Sequence, residues 1–145
     1  MKLSAFTDYS LRVLIYLAAD TTRRATIAEI AGAFGISENH LVKVVHFLGK
    51  RGWIDTARGR GGGIVLAMAA AQVSVGQVVR DTEGAAMPAE CFSEDGGNCV
   101  ISRACRLKGV LGGAVEAFYA VLDRYTLADI SRNRQVLGKV LMIHA

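Results

Sequence analysis

The chain has 145 residues, 52% of them hydrophobic and 21% charged, with one proline and no low-complexity tract, a composition that argues against disorder and suits one folded domain with an appended element. Its longest apolar runs, Val13 to Ala19 and Ile64 to Ala71, fall short of the roughly 18 residues a membrane-spanning helix needs, and Asp8 and Arg12 interrupt the only stretch that imitates a secretory leader, so a cytoplasmic protein is expected. The net charge of +4 is uneven: ten of the 17 Lys/Arg but five of the 13 Asp/Glu lie in residues 1–80, which suits a polyanionic partner for that half.

Phe6, Tyr9, Val13, Leu14 and Leu17 recur at helical spacing and predict an amphipathic helix from about Thr7 to Ala19. After a polar break at residues 21–24, Thr26-x-x-Glu29 has the capping-box pattern that opens a helix, which runs to Phe34. Gly35 allows a turn, and Ser37 caps a third helix whose Leu41, Val44, Val45 and Leu48 face inward. Two helices joined by a short turn containing glycine match the helix-turn-helix pattern. The outward face of the second then presents Ser37, Asn39, His40, Lys43 and His46, groups that suit base edges and phosphates.

Past Gly52, two short apolar runs, WIDTA and IVLAM, flank RGRGGG and predict a β-hairpin wing. Its tip carries Arg58 and Arg60, placed to meet a DNA backbone or minor groove. That stretch lacks the GxxxxGK[ST] arrangement of a nucleotide-binding loop, and the chain has no GxSxG, HExxH or paired acid and base of an enzyme. A further helix is expected from Ser74 to Glu83. An irregular loop containing Gly96 and Gly97 then starts near Met87-Pro88, and a long helix follows from about Arg103. Leu107, Leu111, Ala114, Phe118, Val121 and Tyr125 form an a/d stripe on it, expected to be a homodimer seam. The segment after it shows no recognisable motif. The resulting expectation is a mainly α chain with a small β-hairpin wing: a winged helix-turn-helix domain over residues 1–80, a cysteine-rich loop over 81–106 and a dimerisation helix with C-terminal segment over 103–145.

All three cysteines, Cys91, Cys99 and Cys105, fall in that loop. An odd number leaves a thiol unpaired in any disulfide scheme, so metal or redox chemistry is the better expectation. Three thiolates accept an iron-sulfur core or, with one further ligand, a zinc ion. A DNA-binding sensor is the leading class; a small electron-transfer or metal-carrying protein is the alternative, and it would have no use for a helix-turn-helix.

FTDYSLRVLIYLA, IAEIAGAFGISENHLVKVVHFLGKRGW, the RGRGGGIVL wing and ACRLK after a three-cysteine loop together resemble the NsrR type within the NsrR/IscR group of winged-helix iron-sulfur repressors. The resemblance implies a homodimeric repressor of operator DNA, with nitric oxide as the effector and a cluster bound by Cys91, Cys99 and Cys105. In the IscR type a histidine three residues after the last cysteine completes the ligand set; here Lys108 stands there. In the NsrR type an aspartate of the FTDY segment, contributed by the other subunit, fills that place, and here it is Asp8, with Arg12 one turn later as the coupling partner. His40, His46 and His144 are the remaining candidates. The seven residues between Cys91 and Cys99 exceed the first gap usual in the NsrR type, and a 4Fe-4S cluster is expected ahead of 2Fe-2S. A related winged-helix regulator of iron-sulfur status or redox state is the alternative within the group.

Overall fold

The computed structural model describes residues 2–84, 89–92 and 97–143. Helix α1 (Ala5–Ala19) begins two residues before the expected start, because the Ser4 side chain accepts the Thr7 amide at 3.2 Å and satisfies a free helix-end donor. Val13, Leu14 and Leu17 fill the centre of the core. Helix α2 (Ile27–Phe34) opens with the expected capping box: the Thr26 amide donates to Glu29 Oε2 at 2.6 Å, and the Glu29 amide to Thr26 Oγ1 at 3.2 Å. The first of these bonds does most to hold the Glu29 carboxyl below its ordinary range. Gly35 takes φ +64°, the left-handed conformation that ends α2. Ser37 then caps α3 (Glu38–Lys50), and Leu41, Val44, Val45 and Leu48 are all buried. Each such side chain stabilises the fold by about 2 kcal/mol.

Strands β1 (Ile54–Ala57) and β2 (Gly63–Leu66) pair antiparallel in the register Ile54 to Leu66 and Ala57 to Gly63. Ile54 and Ile64 point into the core, and Ile64 also exchanges two backbone bonds with Ala25, of 3.0 and 2.7 Å, which fastens the hairpin to the start of α2. A 3-10 turn (Ala70–Gln72) leads to the expected helix, α4 (Val75–Glu83), which Ser74 caps. A second such turn (Glu90–Phe92) precedes α5 (Arg106–Leu122), α6 (Leu127–Ile130) and α7 (Arg134–Val140). Among the described residues no helix is long and apolar enough to cross a membrane.

Three expectations need correction. Helix α5 begins at Arg106, because residues 100–104 form tight turns in which the amides of Ser102 and Ala104 donate to the carbonyls of Cys99 and Ile101. Tyr125 lies beyond the end of α5 at Leu122; its carbonyl accepts the Val75 amide at 3.0 Å, so it is no part of a helical stripe. Residues 127–143, grouped in the sequence with the long helix, pack instead on the winged domain: α6 and α7 contact α1, and Leu127, Leu141 and Ile143 join its core.

Candidate nucleic-acid interface and sensor loop

The capping and packing of α3 decide which of its side chains reach solvent. With Leu41, Val44 and Leu48 turned inward, Ser37, Asn39, His40, Lys43 and His46 are exposed. Arg58 and Arg60 are exposed at the wing tip, and among the described residues neither they nor Lys43 form an ion pair. Cations left without acidic partners keep their charge available for phosphate. Between α3 and the wing runs a groove of about 730 Å³ with Val42, Val45 and Ile64 on its walls and His46, Lys50 and Arg58 among its polar lining. Val42, half exposed on this otherwise polar surface, was missed in the sequence because it reads there as one more apolar helix position.

Asp8 and Arg12 form a forked ion pair, with Nη2 to Oδ2 at 2.8 Å and Nε to Oδ1 at 3.1 Å. The Arg12 guanidinium lies 5.8 Å from the centre of the Phe34 ring, at the last residue of α2 before the Gly35 turn. On either side of Asp8, α1 rests on the reading helix: Tyr9 stacks obliquely on His40 at 6.2 Å, and Phe6 meets Phe47 edge-on at 5.2 Å.

Cys91 is buried and Cys99 and Cys105 are half-buried, all three as free thiols. Cys105 is the N-cap residue of α5, and its side chain makes no capping bond. Gly97 takes φ +61°, and a Cβ there would sit 2.7 Å from the Glu90 carbonyl oxygen and 3.3 Å from the Cys91 amide nitrogen. The chain therefore doubles back onto the Glu90–Cys91 peptide before reaching Cys99, which closes the long first gap. Phe92 covers Gly112 of α5, and Lys108 places its ammonium 5.7 Å from the Phe92 ring, a cation–π contact rather than a ligand position. Among the described residues no three His, Cys, Asp or Glu side chains stand close enough to hold a metal ion. Within one chain Asp8 keeps company with Arg12 and not with the cysteines. Residues 87, 88 and 96 of the loop, and His144, lie outside the described residues.

No side chain of α5 is fully buried. Leu111 and Phe118 are half-buried against their own chain, whereas Leu107, Val110 and Val121 are 60%, 68% and 45% exposed. The outward apolar row is thus Leu107, Val110, Ala114, Ala117 and Val121. Val110 and Ala117 were missed because the stripe was drawn one position to the side of them.

A reading helix capped behind a tight turn, a cationic hairpin beside it and a separate loop carrying the three thiols define a winged helix-turn-helix DNA-binding protein. Residues 3–133 match the Rrf2 family, described as iron-dependent transcriptional regulators. The chain belongs to that family. The HTH-type transcriptional regulator NsrR of Bacillus subtilis (strain 168) is 49% identical over 142 residues, covering 97% of each chain, and its namesake in Geobacillus kaustophilus (strain HTA426) matches to the same extent. Among solved structures, oxidized Staphylococcus aureus CymR superposes with a TM-score of 0.73 at 26% identity, covering 90% of this chain and 96% of that one. T. potens IscR gives 0.73 at 25%, covering 92% and 88%. The winged-helix fold and the NsrR-type resemblance read from the sequence are borne out, and the protein is a DNA-binding transcriptional regulator rather than an enzyme.

Proposed function

We propose that the protein is a homodimeric repressor that senses nitric oxide through an iron-sulfur cluster, 4Fe-4S in preference to 2Fe-2S, held by Cys91, Cys99 and Cys105 with Asp8 of the partner subunit as fourth ligand. The donor set fits: three free thiols are soft ligands suited to iron-sulfide cores, and the contact of Gly97 with Glu90 and Cys91 brings the loop back on itself. When bound, the cluster supplies iron that takes up nitric oxide more strongly than it holds a carboxylate.

The observation that carries the proposal is the packing around Asp8. Its flanking aromatics lie against α3, and its ion-pair partner Arg12 lies over Phe34 at the start of the helix-turn-helix turn. Asp8 pairs with its own Arg12 in this chain and, as a ligand to the partner subunit's cluster, would have to exchange that pairing for iron. A change from one to the other alters the load on Arg12, Phe34 and the first turn of the reading helix. Ser37, Asn39, His40 and Lys43 contact the major groove, and Arg58 and Arg60 the adjoining backbone. The exposed row on α5 joins the two copies, so that two reading helices span two half-sites. An effector shifts such an equilibrium only by binding the two states unequally.

The test is duplex affinity of anaerobic, cluster-loaded protein with and without stoichiometric nitric oxide, after iron, sulfide and visible-spectrum analysis. Affinity should fall steeply with salt and drop on nitric oxide addition, and Cys99→Ala should lose the visible absorbance. Arg60→Ala should weaken binding to most duplexes, whereas Asn39→Ala should change which one is preferred. A colourless zinc protein, or equal affinities with and without nitric oxide, refutes the sensing role.

A further inference from the structure

The last four residues of α4, Arg80-Asp81-Thr82-Glu83, tie the helix to three different parts of the molecule. Arg80 forks onto Asp123 at the end of α5 with both N–O distances 2.6 Å, and its guanidinium lies 4.4 Å from the centre of the Tyr119 ring. Asp81 accepts the indole N–H of Trp53 at 3.1 Å. Thr82 accepts the Thr7 hydroxyl at 2.8 Å, and Glu83 accepts the amide and hydroxyl of Ser4 at 2.8 and 3.0 Å. Sensor helix, wing base and the start of α1 therefore converge on four consecutive residues. Val78 and Val79, fully buried, anchor the same helix in the core.

Trp53, the chain's single tryptophan, stands at the joint between reading helix and wing. Its amide donates to the Leu48 carbonyl of α3 at 3.0 Å, and its carbonyl accepts the Ala67 amide, just past β2, at 3.1 Å. Backbone bonds thus hold this residue to both elements that face DNA, and its side chain is held to α4. A displacement of α5 that moves Asp123 reaches Arg80, and the adjacent residue in the chain is the acceptor that fixes Trp53.

We infer that the end of α4 is the junction through which the sensor half sets the angle of the wing, with Asp81 a positioning residue acting through Trp53. The inference rests on the proposed sensing role, and it names residues that touch neither the thiols nor the DNA. The geometry separates two kinds of variant. Trp53→Phe keeps an aromatic ring at the joint and removes the N–H donor, while Asp81→Ala removes the acceptor.

The test uses the full-length, cluster-loaded dimer. Both variants should keep the wild-type visible spectrum and iron content. Duplex affinity should fall about tenfold or more, the ratio equivalent to losing a hydrogen bond to a charged acceptor. The ratio of affinities without and with nitric oxide should shrink, which a purely structural contact would leave unchanged. The indole ¹⁵N–¹H resonance of Trp53 gives a reading independent of DNA: Asp81→Ala should shift it and speed its hydrogen exchange, and nitric oxide added to the wild type should shift it the same way. Wild-type affinity and response in both variants, or an indole resonance unmoved by nitric oxide in a responsive wild type, overturns the inference. Should the wild type itself not respond, the sensing role fails, and the duplex affinity of the two variants still decides whether Asp81 positions the wing.

Discussion

Two glycine-to-alanine substitutions of identical chemistry should change stability in opposite directions. At Gly76, in the first turn of α4, an added Cβ would overlap Asp123 Oδ1 and lie 3.0 Å from both the Cγ and the backbone nitrogen of that residue. The carboxylate is not free to swing away, because Arg80 holds both its oxygens. The backbone nitrogen is fixed as well, donating to the Tyr119 carbonyl at 2.8 Å where α5 ends. Overpacking by one methyl group costs about 1–3 kcal/mol, and alanine recovers at most about 1 kcal/mol of helix propensity. The net loss is about 1 kcal/mol, or roughly 4 °C in melting temperature for a chain of this size. At Gly32, in α2, no heavy atom lies within 4 Å of the added Cβ, and the propensity gain of up to about 1 kcal/mol should appear undiminished. Thermal melts followed by far-ultraviolet circular dichroism measure both. A Gly76→Ala protein that melts at or above the wild type, or a Gly32→Ala protein that melts below it, refutes the packing argument.

Val110→Glu puts a charge on the exposed row of α5 and should give a folded monomer by sedimentation, because a seam would have to desolvate that charge without a partner; Phe118→Glu, half-buried in its own chain, should also lower the melting temperature. A Val110→Glu protein that remains dimeric at micromolar concentration removes α5 as the seam. The Glu29 carboxyl is held below its ordinary value of 4.5, chiefly by the Thr26 amide, so its contribution is complete above that value and is lost as pH falls through the lower, folded one. Glu29→Gln should therefore be less stable than wild type at neutral pH, with the difference closing in acid; a difference independent of pH contradicts the capping account.

The helix-turn-helix was legible because its signals are local. Thr26 with Glu29, Gly35, Ser37 and the four buried positions of α3 each lie within a few residues of what they determine. The wing announced itself in the same way, through two apolar runs around a glycine-rich tip. The C-terminal segment was opaque for a narrow reason. Thr126 and Asp129 form a working capping box, with the Thr126 amide donating to Asp129 at 2.9 Å, but the usual template asks for Glu or Gln at the acidic position. The α5 stripe mixed open and partly covered positions: an a/d reading selects two adjoining rows of one helix, and only neighbouring chain decides which is covered. Leu111 and Phe118 turned out to be partly covered, Val110 and Val121 open. The bonds that link the halves, Trp53 to Asp81 and Arg80 to Asp123, span 28 and 43 positions, and no local pattern encodes them.

Because Leu127, Leu141 and Ile143 share a core with Val13 and Leu14, the packing around α1 is completed only when residues 127–143 are in place. At about 5–20 residues per second, the part of α1 that meets α6 and α7 waits on the order of ten seconds while the intervening chain is made. Closure of the winged domain is therefore tied to the synthesis of α6 and α7. A chain cut off before residue 127 would carry every proposed DNA contact and all three thiols, yet lack the side chains that seal its core. Such a fragment would leave apolar surface of α1 open to water, so the packing of α6 and α7 makes the stability of the reading head depend on chain that lies beyond the thiols.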